Sequence, residues 1–72
     1  MYKILGTPTC SFCGSAKELL DTKGIQYEYT DITKDNEALS LFREKGFRTV
    51  PQIFKGDVHI GGFQDLQKHL ES

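Results

Sequence analysis

The sequence predicts an α/β fold, a four-stranded mixed sheet with helices on both faces in the order β-α-β-α-β-β-α. Three observations predict it. A short apolar run (residues 2–5) is followed by a segment of helical period and then by an alternating segment (residues 25–32), the succession of a right-handed parallel crossover. Two β-prone runs (residues 52–54 and 58–60) flank Lys55, Gly56 and Asp57 and read as an antiparallel hairpin. Each helical segment carries one apolar stripe, which a sheet covered on both sides would bury.

The elements follow in order. "YKIL" ends at Gly6 and Pro8 and reads as a buried strand. After Cys10, Phe12, Ala16 and Leu19 recur on one helical face with Cys13 and Leu20 beside it, and Gly24 is the stop signal. In "IQYEYTDI", Ile25, Tyr27 and Tyr29 share one face and Gln26, Glu28 and Thr30 the other, as in a half-buried strand. Thr33 is expected to cap a second helix, with Asp35 and Glu37 in its first turn, Leu39 and Phe42 on its apolar side and Lys45-Gly46 at its end. Gly56 falls in the hairpin turn. Gly61-Gly62 then opens a last helix on which Phe63, Leu66 and Leu70 align. With no linker, repeat or low-complexity stretch, residues 1–72 read as a single domain.

Composition excludes several functions. A net charge of −1 with both signs interspersed leaves no electrostatic footprint for nucleic acid or an anionic membrane. No apolar run approaches the roughly 20 residues of a membrane span, and "MYKILGTP" is too short for the apolar region of a signal peptide. The expected compartment is the cytoplasm, where thiols stay reduced and cysteine pairs are catalytic, sensing or metal-binding.

The chain has two cysteines, Cys10 and Cys13, in "TPTCSFCGSAKELL". As a staple they would close nearly the shortest possible loop, where the entropic gain of a disulfide is least. A zinc site needs two further ligands, and His59 and His69 lack the close spacing of zinc-finger ligands. An inert buried pair is the remaining bland reading. Against these, residues three apart on a helix are neighbours, so the pair can close and open with little movement. Cys10 falls where free N–H groups and the helix dipole favour an anion, so it is the expected nucleophile. Cys13, one turn further and toward the apolar face, is the expected resolving thiol. A CxxC after the first strand of this topology is the redox signature of the thioredoxin-like fold.

"TCSFC", "RTVPQIF" and "HIGGFQDL", in this order and spacing, resemble the glutaredoxins, and more closely the compact dithiol forms of bacteria and phages. The resemblance covers essentially the whole chain. It implies a glutathione-dependent thiol–disulfide oxidoreductase, a monomer with glutathione as co-substrate, no tightly bound cofactor and no metal. Its clients would be glutathione mixed disulfides and disulfide-containing proteins, ribonucleotide reductase among the possible ones. It further implies a cis Val50–Pro51 bond in Thr49-Val50-Pro51, with the Val50 backbone pairing the cysteinyl unit of glutathione as an added strand would. Gly62, Phe63, Gln64 and Asp65 would hold the γ-glutamyl end, through the N–H groups of Phe63 and Gln64 and the carboxylate of Asp65. Ser11 and Phe12 replace the Pro and Tyr common in the family. Thr7 stands where many members carry a lysine for the glycyl carboxylate, a role that Arg48, or else Arg43, would take over. Two rivals follow from these departures: a redoxin reduced by thioredoxin reductase, and a protein sharing a [2Fe–2S] cluster between Cys10 residues and glutathione of two chains.

Overall fold

The computed structural model describes residues 1–71, and its elements follow the predicted order. The strands are β1 (Tyr2–Gly6), β2 (Tyr27–Asp31), β3 (Gln52–Lys55) and β4 (Val58–Gly61); the helices are α1 (Ser11–Thr22), α2 (Asn36–Glu44) and α3 (Phe63–Glu71). The sheet order is β2-β1-β3-β4, with β1 parallel to β2, antiparallel to β3, and β3 antiparallel to β4.

The central strand β1 is buried on both faces, and its alternation sorts the core in two. Tyr2 and Ile4 turn to one side and pack with Ala16, Leu20, Ile53 and Leu66, so α1 and α3 cover that face. Leu5 turns to the other and packs with Ile32, Ala38 and Phe42 under α2. Ile25, Tyr27 and Tyr29 border the first cluster together, as their shared face predicts.

Strand β2 begins at Tyr27, two residues later than the alternation suggests, because the end of α1 claims Ile25. Gly24 adopts φ 69°, its N–H donates to the Asp21 carbonyl at 3.1 Å, and the Ile25 N–H donates to the Leu20 carbonyl at 2.9 Å. This is a Schellman closure, in which glycine takes the left-handed position. The same closure ends α2, where the Phe47 N–H donates to the Phe42 carbonyl at 3.1 Å and the two rings meet edge to face.

Asp35, not Thr33, caps α2. The Asp35 carboxylate accepts from the Ala38 N–H at 3.0 Å. Thr33 is held in the preceding turn, where its N–H and hydroxyl donate to Asp31 Oδ1 at 2.8 and 2.6 Å. These donors hold the Asp31 carboxyl below its usual range.

Candidate active site

Beyond Gly6 the chain turns through Thr7, Pro8 and Thr9 and sets Cys10 at the N-cap of α1. With φ −87° and ψ 114°, Cys10 is extended, and its side chain folds back over the first helical turn. The Cys13 N–H donates to Cys10 Sγ at 3.1 Å. A side-chain oxygen usually fills this capping role; here the sulfur does, so helix formation itself orients the Cys10 side chain.

The two thiols, both reduced, differ in access. Cys10 is half-buried, whereas Cys13 is 1% exposed. Burial, and then a hydrogen bond to the Cys10 side chain, push the Cys13 thiol up to about 11, while the Thr7 backbone and the Tyr29 hydroxyl pull in the other direction. The arrangement therefore offers one accessible sulfur and keeps a second, protonated one directly behind it.

Gly6 makes room for this pair. A Cβ on Gly6 would lie 2.5 Å from Tyr29 Oη and 2.6 Å from Cys13 Sγ, distances no side chain tolerates. The Tyr29 hydroxyl donates to the Thr7 carbonyl at 3.0 Å, and the Cys10 N–H donates to the same carbonyl at 3.4 Å. Sequence reasoning placed Tyr29 on the core face and stopped there. The missed signal is a phenol on a buried face, which needs a polar partner.

A cleft of about 200 Å³ is lined by Phe12, Thr49, Val50, Pro51, Gly62, Phe63, Gln64 and Asp65. The structure thus gathers the two predicted binding segments into one place, and the Val50–Pro51 bond is cis. Phe12 departs from the expected core stripe: it is 55% exposed and stacks on Phe63 at 5.9 Å between ring centroids. Lying in the first turn of α1, Phe12 faces α3 across the cleft mouth instead of packing on the sheet. Thr7 and Arg48 are absent from the cleft lining; Thr7 stands beside Cys10, and Arg48 is exposed after α2. A larger hollow of about 530 Å³ near Met1, Asp21 and Tyr27 holds neither cysteine.

Both cleft walls are fastened from behind. On one side the buried Gln52 donates from Nε2 to the Thr49 carbonyl at 3.0 Å, and its Oε1 pairs with His59 Nε2 at 2.7 Å. The His59 ring in turn stacks on Phe47 at 4.8 Å. His59, exposed on β4, is thus a tether for the Thr49–Pro51 loop. On the other side Asp65 Oδ2 accepts from the Gly62 N–H at 3.1 Å, one half of a capping box. Gly61 has φ 124°, and a Cβ there would run into the Asp65 carboxylate. The N–H groups of Phe63 and Gln64 belong to the first turn of α3, where no helical carbonyl precedes them.

Among the described residues, no group of three or more His, Cys, Asp or Glu side chains is placed to hold a metal ion. Among the described residues no helix is long and apolar enough to cross a membrane.

Comparison with known proteins converges on these features. The glutaredoxin family model matches residues 2–60. A hybrid peroxiredoxin of Haemophilus influenzae is 42% identical over 67 residues, which cover 93% of this chain and 28% of that protein. A glutaredoxin of Neisseria meningitidis is 38% identical over 63 residues, covering 85% of this chain and 74% of the relative. The crystal structure of a buckwheat glutaredoxin–glutathione complex superposes with a TM-score of 0.79 at 28% identity, covering 97% of this chain and 68% of that one.

Proposed function

This chain belongs to the glutaredoxin family of thiol–disulfide oxidoreductases, and we propose that it reduces protein disulfides and glutathione mixed disulfides with glutathione as electron donor. The observation that carries the reading is the asymmetry of the cysteines: Cys10 half-buried at the helix cap, Cys13 1% exposed behind it.

Cys10 Sγ attacks one sulfur of a substrate disulfide, forming a mixed disulfide and releasing the other sulfur as a thiolate that takes up a proton. With a protein substrate, Cys13 loses its proton and attacks Cys10 Sγ. The Cys10–Cys13 bond forms, the bond from Cys10 to substrate breaks, and the second substrate thiol leaves. The substrate gains two electrons and the protein holds the disulfide. Two glutathione molecules then reverse the oxidation through a glutathione adduct on Cys10 and depart as glutathione disulfide. With a glutathionylated substrate, Cys10 takes over the glutathionyl group and a second glutathione removes it, without Cys13.

The cleft supports glutathione as donor. Val50, ahead of a proline that has no N–H, can pair its backbone with the cysteinyl unit of an extended ligand. The first-turn amides of Phe63 and Gln64 suit the γ-glutamyl carboxylate, and Asp65 suits the adjacent ammonium. These contacts use mainly backbone, so the absence of a lysine at Thr7 does not remove them. The buckwheat protein of the same fold is a glutathione complex. The protein clients are of the disulfide-bearing class, and the hybrid peroxiredoxin relative makes a peroxiredoxin a candidate beside ribonucleotide reductase.

The test is NADPH consumption with glutathione and glutathione reductase, run beside the same assay with thioredoxin reductase. The reading predicts turnover in the first. Turnover confined to the second assigns the chain to the redoxin alternative.

A further inference from the structure

The resolving step has a difficulty that the site geometry addresses. Cys13 must become a thiolate to attack, yet it is 1% exposed, and burial holds its proton in place. Water does not reach the sulfur to solvate the charge. A protein donor must, and two groups pull the thiol down: the Thr7 backbone and, from β2, the Tyr29 hydroxyl.

Tyr29 reaches the sulfur from β2. Its Oη and Cys13 Sγ crowd the same point above Gly6, 2.5 and 2.6 Å from where a Cβ would sit. The phenol pulls the Cys13 thiol down, and Cys13 in turn raises the phenol, as close neighbours do. The phenol has one proton, and in the reduced protein it goes to the Thr7 carbonyl at 3.0 Å. Resting on the dithiol reading above, we propose that Tyr29 is the donor for the resolving sulfur: its O–H turns from the Thr7 carbonyl to Cys13 Sγ as the thiolate forms, and turns back once the disulfide closes.

The surroundings suit such a rotor. With Cys13 protonated, the phenol proton satisfies the Thr7 carbonyl. With Cys13 ionised, the hydroxyl hydrogen turns toward the sulfur. The phenol stays protonated throughout, since burial and the neighbouring Cys13 raise it above its ordinary range. It therefore acts as a donor and not as the base. The departing substrate thiolate takes up the Cys13 proton, so protons balance. The charged and titratable groups around the pair are Cys10 from α1, Asp31 from β2, and Lys17, whose Nζ lies 4.3 Å from the Tyr29 ring centroid. Lys17 holds the ring from its open side by cation–π attraction.

A stopped-flow reaction of the reduced protein with an aromatic disulfide that releases thionitrobenzoate separates the steps. Attack by Cys10 releases one chromophore, and resolution by Cys13 releases a second. Cys13→Ser should give the first phase alone; equal release from Cys13→Ser and wild type would remove the dithiol reading itself. Tyr29→Phe keeps the ring and deletes the donor. A hydrogen bond to a charged group is strong enough that the ratio of second-phase to first-phase rate should fall about tenfold. The second phase should also shift its pH profile to higher pH. An unchanged ratio, or both phases falling together, overturns the proposal. Site-specific replacement of Tyr29 by a ring-fluorinated tyrosine, a better donor of nearly the same shape, should shift the profile to lower pH; an unmoved profile also overturns it.

Discussion

The backbone N–H of Cys13 donates to Sγ of Cys10 at 3.1 Å, so the interaction that starts α1 also aims the sulfur presented to substrate. On the proposed mechanism the nucleophile's position is tied to helix formation, and catalytic geometry and local stability share one hydrogen bond.

The division of labour between the cysteines predicts separable losses. Cys13→Ser should retain turnover of small glutathione mixed disulfides and lose most reduction of protein disulfides. Cys10→Ser should lose both. Steady-state assays with a glutathionylated peptide and with a disulfide protein measure the two activities; the reverse pattern would exchange the roles.

Gly6→Ala tests the packing behind the site. The added methyl meets Tyr29 Oη and Cys13 Sγ, and the strand on which it sits, paired on both sides, cannot shift freely. Overpacking of this kind costs about 1–3 kcal/mol. Urea denaturation should show that loss, together with slowed resolution by Cys13. A wild-type midpoint would contradict the close approach.

The raised Cys13 thiol predicts an alkaline dependence of stability. Between its ordinary 9.0 and its folded value of about 11, the unfolded chain gives up the proton while the folded chain keeps it. Unfolding then releases a proton, so the stabilisation is complete below 9.0 and is lost as pH rises through about 11. Urea midpoints across that range should fall more steeply in wild type than in Cys13→Ser. Tyr29, shifted in the same direction, keeps part of the slope in both.

Thr7→Lys and Arg48→Ala probe the glycyl end of glutathione. Both positions lie outside the cleft lining, and an exposed charge pair is worth about 0–1 kcal/mol. Thr7→Lys should lower the glutathione concentration for half-maximal rate by up to about fivefold. Arg48→Ala should raise it by a similar factor if Arg48 supplies the compensating charge. The coupled glutathione assay reads both.

How much was legible in the sequence depended on how local the determinant was. The strands, the helices and the Cys10–Cys13 pair follow from periodicity and spacing. Thr33 and Asp35 can each cap a helix, and the choice fell to Asp35 because the Asp31 side chain two residues earlier claims Thr33. Phe12 fits the apolar stripe of α1 by spacing, but it faces Phe63 on α3, which spacing within α1 cannot show. The Gln52–His59 tether joins β3 to β4, and spacing within either strand cannot show it. Tyr29 needed the pairing of β1 with β2 and the small residue at Gly6 to be seen as part of the site.

The most direct measurement follows the oxidised Cys10–Cys13 protein in millimolar glutathione by mass spectrometry after thiol alkylation. The account predicts conversion to the dithiol through a transient glutathione adduct on Cys10. Protein that stays oxidised in glutathione, yet is reduced by thioredoxin reductase and NADPH, would contradict it.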